Sequence, residues 1–252
     1  MKVWRKSPVL SWPFALKKLY ERVNFMHIPD GFLDAKTIVT TAVISAYAIK
    51  KNVEKTRKIL GDRDIPVMGV MAAFIFAAQM VNFPVMAGTS GHLLGAALAT
   101  TLLGPYSAGL IMATVLIVQS IFFQDGGLLA LGANILNMAV VAPMVSYFVF
   151  AAIKRSFHFS GADSIASFAA AWFSVVTASV FASLELALSG TAALKMVLVP
   201  MVAVHALIGV GEGLITTAAV AYIGRVLNLK ADAGMKYIAA NAGSMDEGGS
   251  SN

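Results

Sequence analysis

SIASFAAAWFSVVTASVFASLELAL, residues 164–188, passes from end to end with Glu185 as its only acidic, basic or histidine side chain. A hydrocarbon core of about 30 Å needs roughly 20 helical residues, so this run can cross a membrane. Unpaired backbone amides are costly in lipid, which makes it a helix rather than a strand. Working outward, 127–153 and 196–224 have the same character, the latter interrupted only by His205 and Glu212. Upstream lie 35–50, ending in Lys50-Lys51; 65–83, closed by Asn82-Phe83-Pro84; 91–103, ended by Gly104-Pro105; and 106–123. Proline discourages helix at these two boundaries. The expectation is an all-α polytopic membrane helix bundle with about seven transmembrane helices. Composition agrees: 58% of the chain is apolar and 13% charged, against roughly 25% charged in soluble domains. A water-soluble globule is excluded. The chain has no cysteine, so disulfides, iron–sulfur clusters and thiolate zinc sites are excluded too, and any metal must be held by nitrogen or oxygen.

Orientation follows from the basic residues between spans, because short cytoplasmic loops accumulate Lys and Arg. The connections 50–64 and 154–163 and the tail after 224 carry eleven of them, whereas 26–36, 84–90, 124–126 and 189–195 carry only Lys36 and Lys195. The segment before the first span is therefore expected outside and the C-terminus in the cytoplasm. Residues 1–25 conflict with this, since six Lys/Arg against Glu21 give +5 of the total +6. Three readings stand: a targeting peptide, though its apolar stretch is broken by Pro13; an amphipathic surface helix; or an untranslated leader, with Met26 the true first residue. The chain thus divides into a basic extension 1–25, a membrane domain 26–225 and a polar cytoplasmic tail 226–252. With the charge so confined, nucleic-acid binding is not expected.

Four histidines occur. His158 falls in a cytoplasmic loop, where a solvated role suffices. His27 precedes the first span and His92 opens the third from the same outer side, so the two can meet although distant in sequence. The third run is short for a span and is expected to begin beneath the outer surface, which shelters His92. A histidine at a helix start is ordinarily a cap or packing group. The neighbouring Met26 changes this if it is a free terminus. Its amine, the His27 amide nitrogen and the His27 imidazole can then form adjoining five- and six-membered chelate rings, leaving one in-plane position for His92. Four nitrogens in a plane suit Ni²⁺ or Cu²⁺, whereas Ca²⁺ and Mg²⁺ want oxygen.

At these residues the sequence resembles the substrate-capture subunit of energy-coupling-factor importers for cobalt and nickel, the CbiM/NikM family. The matching stretches are Met26-His27-Ile28-Pro29-Asp30-Gly31-Phe32-Leu33, Gly88-Thr89-Ser90-Gly91-His92-Leu93-Leu94-Gly95 and His205-Ala206-Leu207-Ile208-Gly209-Val210-Gly211-Glu212-Gly213. The resemblance spans essentially 26–225. It implies a seven-helix, multi-pass protein of the cell (inner) membrane whose amino-terminal segment tucks into the bundle. Met26 would supply its amine, His27 its amide and imidazole, and His92 its imidazole. It further implies a transmembrane coupling (T) subunit, cytoplasmic ATPase subunits and a small auxiliary membrane subunit as partners. Co²⁺, feeding corrinoid synthesis, or Ni²⁺ would be the transported ion, with no resident cofactor. The 25-residue extension departs from the pattern, because this chemistry needs a free terminus at Met26.

Other polar residues have structural readings alongside functional ones. His205, Gly209 and Glu212 recur on one helix face. Glu212 is a functional candidate as an intramembrane carboxyl, or it hydrogen-bonds a neighbouring helix while Gly209, Gly211 and Gly213 allow close approach. Asn82 and Ser90 either orient the binding loop or cap it. Asp30 caps the entry or faces water, and Ala42 and Ala46 form a small-residue strip suited to docking a partner helix or to ordinary internal packing. No P-loop of the form Gly-x4-Gly-Lys-Ser/Thr occurs, so the chain is read as a transport subunit without its own ATPase, not an enzyme. One alternative is a self-sufficient proton- or sodium-coupled carrier using Glu212 and Glu185, although no convincing internal repeat supports it. An intramembrane metalloenzyme lacks a His-Glu-x-x-His motif and fits least well.

Overall fold

A computed structural model of the chain describes residues 27–61, 64–84, 90–159 and 161–226. Among them are seven helical runs and one short strand pair. The helices are α1 (Ala35–Ile59), α2 (Asp64–Gln79), α3 (Ala96–Leu103), α4 (Pro105–Phe122), α5 (Leu131–Ser156), α6 (Ala162–Leu188) and α7 (Leu194–Val226). Four of these, α4 to α7, are long and apolar enough to cross a membrane.

Local chemistry accounts for the boundaries. Asp34 accepts from the Thr37 amide and caps α1, satisfying one of the donors a helix start leaves open. Pro105 sits in the first turn of α4, where its missing N–H costs nothing. Helix α5 widens to a π-turn over Leu136–Val141, just before Pro143, with the Ala142 amide reaching the Asn137 carbonyl. Proline cannot donate to the carbonyl four residues back, and the wider turn re-registers the ladder around it.

Alanines and large apolar side chains interdigitate in the core. Ala96, Ala99, Ala108, Ala139 and Ala142 are buried with Ile75, Ile111, Met112 and Leu116, the small residues letting backbones approach. Helix α6 packs along α7 and α5, α1 lies on α5 and α4, and short α3 is enclosed by α4, α5 and α6. Large apolar side chains such as Val43, Tyr47, Phe173, Leu207 and Leu214 point outward, as expected where the surrounding medium is lipid.

Two expectations need correction. Helix does not extend through the whole of runs 65–83 and 91–103. Asn82–Pro84 (β1) pairs antiparallel with Ser90–His92 (β2), and eight residues of helix remain in α3. Pro84 disfavours helix in the residue before it, and the facing strands satisfy each other's backbone groups. Nor does the first helix stop at Lys50-Lys51, for it continues to Ile59. Lysine is a good helix former, and Lys51 pairs with Glu54 at 3.0 Å. The extension 1–25 and, apart from Val226, the tail 226–252 lie outside the described residues.

Candidate metal centre

The segment before α1 crosses the end of the bundle and is tied to it along its length. Asp30 accepts from the amides of Leu128, Leu129 and Ala130, capping the start of α5. Asn134, one turn into α5, grips the Ile28 backbone from both sides: its Oδ1 accepts from the Ile28 amide and its Nδ2 donates to the Ile28 carbonyl, each at 3.1 Å. The Gly127 amide donates to the same carbonyl, Thr191 donates to the Phe32 carbonyl, and Ser189 reaches Asp34. Asp30 thus neither faces water alone nor caps its own segment; it fastens that segment to α5.

So held, His27 is pressed against His92, the last residue of β2. The ring centroids are 4.9 Å apart, edge to face, and both side chains are 6% exposed. His27 Nε2 donates to Gln119 on α4 at 2.8 Å, and Gln119 Nε2 donates to Gln79 on α2 at 3.0 Å. Gln79 Nε2 donates in turn to the Leu94 carbonyl at 2.8 Å. His92 Nδ1 donates to the Leu93 carbonyl. Burial pushes the His27 imidazole down to about 4, against the opposing hydrogen bond to Gln119, so the ring is neutral near pH 7, the form a metal requires. A cavity of about 60 Å³ opens beside the pair and is also lined by Asn134, Asn137, Ser179 and His205. It has room for an ion or a few waters.

The remaining expected residues fall as follows. Met26 lies outside the described residues. Asn82 faces His92 across the strand pair and Ser90 faces Pro84, both through the backbone. His205 is buried and donates through Nδ1 to the Met201 carbonyl one turn back. Glu212 is buried and accepts from the amides of Leu94 and Gly95, at 2.5 and 2.9 Å, so α7 holds the peptide just after His92. Gly95 adopts φ +80 there, a conformation that favours glycine. Of the three helix glycines, Gly209 lies against Trp172 and Gly213 against Phe168, whereas Gly211 faces open space. Gln79, Gln119 and Asn134 escaped the sequence reading, which sorted spans by charge. Their signal was the cost of burying an amide in an apolar run without a partner.

Fold and site together define a mostly helical membrane protein with a buried two-imidazole centre at the end of its bundle. Residues 27–228 match the model of the family CbiM, the cobalt uptake substrate-specific transmembrane region, and the chain belongs to that family. It is 42% identical over 200 residues to a putative fused nickel transport protein, NikMN, of Archaeoglobus fulgidus, across 79% of this chain and 65% of that protein, so it spans somewhat under two thirds of the fused relative. It is 32% identical over 189 residues to the cobalt transport protein CbiM of Acetoanaerobium sticklandii, covering 73% of this chain and 76% of the relative. A solved structure of a transition metal transporter matches with a TM-score of 0.75 at 29% identity, covering 84% of this chain and 98% of that one.

Proposed function

We propose that this chain is the ion-capturing membrane subunit of an energy-coupling-factor importer for divalent nickel or cobalt. In this reading seven spans cross the cell membrane, the amino-terminal segment lies on the outer side and the C-terminus is cytoplasmic. The ion is cargo, taken by the Met26 amine, the His27 amide and imidazole, and the His92 imidazole. A transmembrane coupling subunit and cytoplasmic ATPases supply the energy that this chain, with no P-loop, does not supply itself. A small auxiliary membrane subunit assists loading. The observation that carries the reading is the meeting of His27 and His92 at 4.9 Å, buried beside one cavity. Cobalt delivered this way would feed corrinoid synthesis, and nickel would feed nickel enzymes.

The test compares purified protein starting at Met1 with protein starting at Met26, titrated with nickel and cobalt, with His92→Ala in each. The short form is expected to bind and the long form to bind far more weakly, with His92→Ala abolishing tight binding. Equal affinity of both forms would overturn the terminal-amine chemistry, and full affinity in His92→Ala would overturn the site. Metal-stimulated ATP hydrolysis by the reconstituted assembly, absent from this chain alone, tests the coupling.

A further inference from the structure

We propose that Gln79 and Gln119 are positioning residues that fix which nitrogen of His27 meets the ion. This rests on His27 being a ligand, as proposed above, and adds how it is held ready. Both glutamines have no exposed surface, and they lie among helices whose apolar core is built from alanine and branched or sulfur-containing side chains. Two amides are retained there because they form a single directed chain.

The direction of that chain follows from its far end. The Leu94 carbonyl is a backbone oxygen and can only accept, so the Gln79 atom 2.8 Å away is its NH₂. The other Gln79 atom is then its carbonyl oxygen, and the Gln119 atom 3.0 Å from it must be the NH₂ of Gln119. The remaining Gln119 oxygen, 2.8 Å from His27 Nε2, accepts and requires a hydrogen on Nε2. A neutral imidazole carries one hydrogen, so Nδ1 of His27 bears the lone pair. That Nδ1 is buried and has no hydrogen-bond partner among the described residues.

Nδ1 is also the atom the chelate demands. A ring closed through the His27 amide nitrogen, Cα, Cβ, Cγ and Nδ1 has six members, while closure through Nε2 would be too large and strained. At His92 the roles are reversed. Its Nδ1 donates to the Leu93 carbonyl, which leaves Nε2 as the lone-pair nitrogen. The two histidines therefore present opposite nitrogens, each selected by a hydrogen bond on the other side of its ring. Such partners of ligand histidines ordinarily fix tautomer and orientation together. The chain ends on the peptide that Glu212 holds from α7, so the settings of both rings converge on residues 92–95.

The experiment is a long-range ¹H–¹⁵N correlation spectrum of the full chain, labelled at histidine, in nanodiscs near pH 7 without metal. His27→Gln serves only to assign the His27 signals. The wild-type spectrum is expected to show His27 protonated at Nε2 and bare at Nδ1. Gln119→Leu is expected to mix or reverse this and, in protein starting at Met26, to weaken nickel binding by about 10–100-fold. A His27 protonated at Nδ1 in the wild type would overturn the proposal without any variant, as would an unchanged tautomer in folded Gln119→Leu. The metal-free spectrum also separates the two ideas: the expected tautomer, together with failure of the protein starting at Met26 to bind nickel or cobalt, sinks the capture reading while the hydrogen-bond chain still sets the His27 tautomer.

Discussion

At Ile28 one side chain holds the backbone on both sides: Asn134 accepts from its amide and donates to its carbonyl, and the preceding residue is His27. Asn134→Ala leaves the buried Ile28 amide without a partner, at about 1–3 kcal/mol, and its carbonyl with the Gly127 amide alone. Because the same bonds orient the His27–Ile28 peptide, nickel affinity is expected to fall about tenfold or more, read by calorimetric titration. Protonation of His27 makes a second prediction. Its folded value near 4 lies below the ordinary 6.5, so the folded state binds the proton less readily than the unfolded one. Stability is therefore expected to be fully present above about pH 6.5 and to decline as pH falls towards 4. His27→Gln should flatten that part of a denaturation-against-pH profile. The two histidines were legible in the sequence because imidazoles are few and the topology put both on one side. Gln79, Gln119 and Asn134 were not, since an uncharged amide hardly disturbs an apolar run, and only the folded chain shows where it points.

Between elements, close approach decides the packing. A Cβ placed on Gly132 of α5 would lie 2.6 Å from the Ala42 Cα and 2.7 Å from its amide nitrogen; both are backbone atoms that cannot swing aside. Ser45 donates to the Gly132 carbonyl across the same contact. Gly132→Ala is expected to push α1 from α5 and destabilise the protein by about 1–3 kcal/mol, measured as a lowered unfolding temperature in detergent. Of the strip expected at Ala42 and Ala46, Ala42 thus packs against α5. Apolar patterning located all seven helical runs, because span length follows from lipid thickness. It missed the β1–β2 pair, which is only three residues a side and whose pairing joins separate runs, so no local periodicity marks it. It also missed the extension of α1 beyond its basic residues, since lysines end a hydrophobic run without ending a helix.

For the whole molecule, the basic residues make a directional statement. In the proposed topology the 50–64 connection faces the cytoplasm and 189–195 the outside. The chain has no cysteine, so Lys55→Cys and Lys195→Cys each give one thiol. A membrane-impermeant maleimide is expected to label Lys195→Cys in intact cells and Lys55→Cys only after permeabilisation; the reverse pattern would invert the topology. The charge bias was readable without coordinates because it is a count over loops. The way residues 27–34 are fastened across the bundle depends on Asp30 meeting the start of α5 and on Asn134 of α5 meeting Ile28, which no local pattern encodes. The most direct measurement of the central claim is X-ray absorption at the nickel edge of the metal-loaded protein beside His92→Ala. In protein starting at Met26 the capture proposal predicts a nitrogen shell with outer scattering from two imidazoles, reduced to one in the variant when that is loaded weakly with excess nickel. A shell of oxygen, or scattering unchanged by His92→Ala, would contradict it.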